Sequence, residues 1–478
     1  MSETSKAALR YVAETVPGTT PANPTFQDIV YVSSGLAYTP DSEPDDSISP
    51  DRQVLDLALM GYGVEGDNEH RFRFGALDDM FEASFYGTWD KRPGAAVTSF
   101  NATTGTFTIA SGGATYQVGH LILASGFAIA ANNRAWKVSA AGTGTTVVIG
   151  ANGTTDTTGR IAVVGFEGAA GDIKTTAGAV NSIDSTTMNF VTMGVKAGMW
   201  LKVGGSDTAN RFAAAALNDW VRVQSVSVNK LVLDSVPIGW ATDVGAGKTV
   251  RVFMGDFLRN GTTRRAFTFE REYEKDDGSK MYRYFRGCFM GMTLDMSARE
   301  MISVSFSIMG LSASEVVSAR LAGATTVPPI GGEVYNTSSN IGQFRLGGVP
   351  MAAPNYILGF SAEINNNHRG REAVGTASYV DVRSGRFEVT GSAESYLGDA
   401  SMVNALMQNK ASSLALPILA SDKAAGYHLD IPHLKFTDGG EDVPGADEDI
   451  APDLEYQGLK HPTLGYTMQM SKYSYLEF

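Results

Sequence analysis

Residues 71–89 read Arg-Phe-Arg-Phe-Gly-Ala-Leu-Asp-Asp-Met-Phe-Glu-Ala-Ser-Phe-Tyr-Gly-Thr-Trp, a stretch that admits very few local structures. Phe72 and Phe74 alternate with Arg71 and Arg73, as on a half-buried strand, whereas Leu77, Met80, Phe81 and Phe85 recur at helical spacing. Asp78 and Asp79 fall in the first turn, where carboxylates suit the exposed amides and the positive end of the helix dipole, and Gly87 closes the run. The pattern predicts a strand ending, one short helix and a stop. Further strands follow at Ala266–Tyr273, Tyr282–Met296 and Ile302–Gly310, each alternating with period two.

The same layout returns after a Pro/Gly/Thr linker at residues 322–332. Strands are expected at 356–364 and at Arg386-Phe-Glu-Val-Thr-Gly391, then an amphipathic helix from Ser401 to Asn409, then strands at 414–419, 427–431, 454–459 and 465–470. The chain therefore reads as two copies of one β-rich unit with a single helix each. At 478 residues, a length that suggests about three domains, there is room for more than these two.

The remainder is residues 91–255, which the charge sets apart. That segment holds 13 Lys+Arg and 8 Asp+Glu, net +5; subtracting from 38 and 51 leaves 25 and 43 elsewhere, net −18. It also repeats internally. Val118-Gly-His-Leu-Ile-Leu followed by Asn133-Arg-Ala-Trp-Lys-Val has a counterpart in Ala197-Gly-Met-Trp-Leu-Lys-Val followed by Asn218-Asp-Trp-Val-Arg-Val, and Thr145-Thr-Val-Val-Ile matches Asn229-Lys-Leu-Val-Leu. The glycines are offset by 79 and the asparagines by 85, the drift an enlarged loop at 206–216 would produce. Two small β units inserted into the first helix-bearing unit are expected.

Two other segments read as non-core. Residues 1–25, polar and with Pro17, Pro21 and Pro24, suggest an arm ordered by a neighbouring subunit; residues 38–51, with Pro40, Pro44 and Pro50, suggest a long acidic loop. Between them Phe26–Ser33 reads as a strand. No apolar run reaches the 18 or more residues of a spanning helix, and the start lacks the pattern of a secretory signal, so synthesis in the cytosol is expected.

Motifs that could carry chemistry fail on context. Gly61-Tyr-Gly-Val-Glu-Gly66 matches a dinucleotide fingerprint, but no helix follows, and a turn is expected instead. Thr242-Asp-Val-Gly-Ala-Gly-Lys-Thr249 lacks the first glycine of a phosphate-binding loop and runs on into a strand. His428 and His433 would point to opposite faces of a strand, and the acids from Asp438 to Asp453 lack calcium-loop spacing. Cys288, the one cysteine, excludes an intramolecular disulfide and reads as a small core residue. Asn101-Ala-Thr and Asn152-Gly-Thr are glycosylation acceptors only in a secreted chain. No catalytic, cofactor-binding or metal-ligating residues and no cofactor are assigned, and no enzyme is expected.

Taken together, Leu77 to Trp89, the hairpin from Leu258 to Glu270, Tyr284-Phe-Arg-Gly-Cys288, Val304 to Gly310, Gly385 to Ala393 and the helix at 401 resemble the tail tube (major tail) proteins of long-tailed, siphovirus-like bacteriophages. The likeness covers residues 1–89 and 257–478 and is not seen in 91–255. It implies a mainly β fold: two tandem tail-tube sandwich or barrel domains, at 1–90 with 256–320 and at 321–478, plus inserted β domains at 91–172 and 173–255. It implies a structural virion protein that stacks as rings into the tail tube, a homotrimer of pseudo-sixfold symmetry or alternatively a hexamer, with the insert decorating the exterior. Expected partners are further copies, the tape measure protein and the tail tip and terminator proteins. Phage DNA would pass through the lumen during ejection without specific binding, no membrane is involved, and assembly would occur in the host cytoplasm. An acidic wall would repel phosphate and let the genome slide. The competing readings are a β-rich adhesin or receptor-binding protein, and a carbohydrate-active enzyme, for which no carboxylate pair is evident.

Overall fold

The computed structural model describes residues 2–48, 50, 51, 53–351, 356–398, 401–440 and 449–478. These form a 20-stranded sheet system and a separate 12-stranded one, with two α-helices, α1 (Asp78–Phe85) and α2 (Ser401–Met407). The fold is mainly β, and the two helices stand where the repeated layout places them.

Local sequence accounts for α1. Met80, Phe81, Ala83, Ser84 and Phe85 are buried, and Asp78 and Asp79 occupy the first turn without a side-chain cap. The helix stops because Tyr86, not Gly87, takes the left-handed conformation (φ 51°); its N–H reaches the Ala83 carbonyl, and the Gly87 N–H reaches that of Glu82. Gly87 is required for another reason, since a Cβ there would lie 2.2 Å from the Arg259 carbonyl oxygen. Phe72, Phe81 and Tyr427 pack their rings together beneath the helix, at 5.2 Å and edge-on for Phe72 and Tyr427. Tyr427 belongs to the second unit, so both units share one hydrophobic core.

Their sheets are also continuous. From one edge, neighbouring antiparallel strands run Ala37–Pro44, Leu57–Arg71, Ser303–Gly310, Met292–Ser297, Ile357–Asn365, Glu388–Ser395, Asp453–Gly458 and Gly426–Asp438. The first four come from the first unit and the last four from the second. The seam between them is the pairing of Met292 through Ser297 with Ile364 through Gly359.

Three expectations are corrected. The supposed N-terminal arm is a strand, Ser2–Glu14, paired with Ala266–Lys275 and Thr25–Ile29 of its own chain, with Leu9 and Tyr11 in the core. Arg10 obscured that pattern: it looks solvent-facing but is buried, and it donates to Glu270 (3.0 Å) and Glu272 (2.7 Å). The acidic loop is in large part the outer strand of a hairpin, Ala37–Pro44 against Leu57–Arg71. Pro40 is tolerated there because it faces Tyr62, whose N–H goes to Ala377 on the opposite side, so no ladder bond is lost. The glycine motif at 61–66 is uninterrupted strand, not a turn. Its glycines make room for neighbouring backbone: a Cβ at Gly61 would sit 3.1 Å from the Ala377 carbonyl, and one at Gly66 would sit 2.4 Å from that of Gly35. The linker at 322–332 likewise contains a short strand, Thr325–Val327, lying parallel to Thr25–Gln27.

The 12-stranded sheet is made from residues 94–254, and the internal repeat is written in its hydrogen bonds. Asn133 clasps the backbone N–H and carbonyl of Phe127 as Asn218 clasps those of Phe212. Gly119 donates to Val138 as Gly198 donates to Val223, both at positive φ (93° and 82°). The two halves meet where Gly159–Glu167 pairs antiparallel with Arg251–Met254, and they share a single core.

This inserted sheet leaves the first unit beside α1 and returns there, Asp90 and Phe257 exchanging both backbone hydrogen bonds. It then packs on the second unit. Trp200 stacks on His428 at 4.3 Å, Trp220 meets Tyr473 edge-on at 4.9 Å, and buried Arg222 donates to buried Asp430 at 3.0 Å. Lys202 and Arg251 hold the C-terminal segment through the carbonyl and carboxylate of Glu477.

Candidate channel-lining face

Alternation gives the eight-strand sheet two unlike faces. One carries Val304, Phe306, Leu294, Phe360, Ala362, Val389, Leu454 and Tyr456 into the core. The other is set by cross-strand register, because residues directly opposite each other share a face. Arg71, Glu69 and Asp67 stand opposite Ser303, Ser305 and Ser307; Thr293 stands opposite Ser305 and Glu363; Asp295 stands opposite Ser303 and Ser361. Across the seam the row continues through Glu363 to Thr390, Asn365 to Glu388, Glu394 to Asp453 and Ser392 to Glu455.

The result is one surface of hydroxyls and carboxylates that crosses from the first unit to the second. Glu65, Asp67, Glu69, Asp295, Glu363, Glu388, Glu394, Asp453 and Glu455 lie on it, and none of these outward positions is aromatic. Arg71, 3.7 Å from Glu69, and Lys435, opposite Gln457 at the far edge, are its basic residues among those described on these strands. Arg386, just before the strand, reaches Glu388 at 3.1 Å. Asp295 is held above the usual carboxylate range by partial burial within the sheet. Chemically this surface repels polyanions and offers little to grip them.

The motifs set aside above fall as follows. His428 is fully buried between Trp200 and Trp220, and burial next to Arg345 and Arg222 keeps it well below the ordinary imidazole range. His433 lies partly exposed with its ring 6.2 Å from that of His461. Cys288 is buried in the first unit's core, and its thiol is pushed up by desolvation. Residues 242–249 precede the strand Arg251–Met254. The side chains of Asn101 and Asn152 accept backbone N–H groups within their own turns. Of the acidic run, Glu441 to Glu448 lies outside the described residues. Among the described residues no three His, Cys, Asp or Glu side chains form a metal-binding group, and no helix is long and apolar enough to cross a membrane.

Sequence reasoning had the charge imbalance but not this face. Strand alternation could locate it, for each acid is followed two residues on by another polar residue, yet only pairing shows that strands some 390 residues apart contribute to one surface.

Such a duplicated, helix-bearing β unit with a polyanion-repelling sheet face defines a tube-building structural protein. A family model of the phage tail tube protein matches residues 4–217 and 226–458, and the chain belongs to that family, as a structural component of the phage virion that assembles into the tail tube. The match runs through most of 91–255, which corrects the expectation that the likeness is absent there. No curated protein matches the chain.

Proposed function

We propose that three copies close into a ring with the acidic face lining the bore, and that rings stack into the channel through which the genome leaves. The observation that carries this reading is the continuity of that face across the seam between the units. One chain already contains a unit-to-unit contact of the kind a ring repeats, and three chains of two units give pseudo-sixfold symmetry. Eight strands per chain supply a 24-stranded wall, an all-antiparallel closure that leaves no sheet edge exposed. A sixfold ring of whole chains is the alternative.

In this reading residues 1–90 with 256–320 and residues 321–478 are the two tube domains. Residues 91–172 and 173–255 form the exterior decoration; their positive net charge would suit a position outside the bore. Assembly in the host cytoplasm around a tape measure protein, capped by terminator and tail tip proteins of a siphovirus-like particle, completes the proposal. DNA passes without specific binding, since unneutralised carboxylates repel phosphates and release no counterions from them.

Electron microscopy of the purified protein tests it. Threefold rings or tubes with residues such as Glu363 and Glu394 facing the bore support the reading. Isolated spikes would favour the adhesin alternative, and a bore lined by residues 94–254 would overturn the proposal.

A further inference from the structure

The eight-strand sheet is unlike at its two ends. The strand Leu57–Arg71 pairs with Ser303–Gly310 only from Val64 onward, so Leu57 to Gly63 project beyond the end of that strand by about 20 Å at about 3.3 Å per residue. The projecting hairpin is apolar and bare: Val54, Leu55, Leu57, Leu59 and Met60 are each more than half exposed, an arrangement soluble chains avoid unless something covers it. It is also acidic, residues 41–60 holding six Asp+Glu against Arg52 alone.

At the opposite end of the sheet, where Ser297 stands across from Gly359, lies an open cavity of about 280 Å³. Ile341, Phe344, Ile357, Phe360 and Leu416 are among its lining residues, and the one charge in that lining is Arg299. Arg299 sits at φ 64°, a left-handed position where a long side chain is uncommon and a glycine would relieve the backbone.

We propose that the hairpin tip of one copy seats in this cavity of the next copy along the tube axis, its leucines against Phe344 and Phe360 and its carboxylates near Arg299. Tip and cavity face opposite ways along the strands, so the contact is head-to-tail and does not close on itself, which is the geometry of a filament. The hairpin strand Leu57–Arg71 and the cavity strand Ile357–Asn365 are three strand spacings apart, about 14 Å, so successive copies are also displaced sideways. This inference rests on the stacked-ring reading and names the surface that receives the hairpin.

Because Cys288 is buried, introduced surface cysteines report contacts cleanly. A Leu59→Cys, Ser338→Cys double variant, assembled and mildly oxidised, is expected to run as a ladder of covalent multimers on a non-reducing gel. Each single variant is expected to run as monomer. Tubes of the double variant that give no ladder would overturn the docking site while leaving the tube reading intact, and a ladder from Leu59→Cys alone would show tip-to-tip contact and overturn it as well. Wild-type protein that forms no tubes would remove the stacked-ring reading itself. As a second measure, Leu57→Asp with Leu59→Asp is expected to give free rings with at least a tenfold loss of tubes; undiminished tubes would refute the site.

Discussion

The two sheets of this protein use charge in opposite ways. On the inserted sheet, basic residues are matched one by one: Arg222 with Asp234 and Asp430, Arg251 with Glu167 and Glu477, Lys137 with Glu167, and Lys196 and Arg92 with Asp90. Several of these pairs hold the insert to the second unit or to the C-terminal segment. On the tube sheet, nine carboxylates share one face with little neutralisation. The first arrangement spends charge on docking, where a desolvated pair must be complete; the second leaves charge free to act at a distance. A sheet whose surface works through its field needs no particular partner at any one position, whereas a docking sheet depends on each.

The largest effects should follow from breaking the docking side of that contrast. Arg222→Met would strand Asp430, which is completely buried, and is expected to destabilise the protein by about 3–5 kcal/mol, read as a drop in denaturation midpoint. The double change Arg222→Met, Asp430→Leu should recover much of that loss, because an apolar pair of similar volume can replace a buried ion pair. Phe81→Ala in α1 should cost a similar 3–5 kcal/mol, whereas Met407→Ala in α2, at 79% exposure, should stay within about 0.5 kcal/mol by the same measurement.

Acid should loosen the molecule in a defined window. His428 is depressed by burial, and His120 and His368 are each lowered to about 4, also chiefly by burial. Their neutral forms are favoured in the folded state, so this stability is present above the unfolded value of 6.5 and is lost as pH falls from there toward about 4. Thermal midpoints measured from pH 7 to 4 should fall, and His428→Phe should flatten part of that slope.

The acidic face should give the smallest change in stability and a distinct change in behaviour. Replacing Asp67, Glu69, Glu363 and Glu394 with their amides is expected to shift unfolding by less than about 1 kcal/mol, since these are surface positions. The assembled tubes should nonetheless retain double-stranded DNA at low salt, as seen by co-sedimentation, where wild-type tubes release it. Equal release by both would show that the face does not meet DNA.

Much of this was legible beforehand because it is local. The Phe72 to Phe85 pattern gave the strand end and α1, Asn133 and Asn218 gave the inserted repeat, and the layout around 386–409 gave the second unit. The misreadings share a cause. Arg10 looked like a surface residue because Glu270 and Glu272, some 260 positions away, were needed to see it satisfied. The glycines at 61–66 looked like a turn because Ala377 and Tyr379, which crowd them, come from the other unit.

Periodicity and composition thus settled which segments are strands, where the helices stand, that units repeat, and that the acids lie outside the insert, since each follows from the preferences of neighbouring residues. Only the tertiary structure decided that both tube units share one core, that the insert leaves one and docks on the other, and that nine carboxylates share a face. Those depend on which strands pair and in what register, and pairing is fixed by contacts across hundreds of residues that no local pattern encodes.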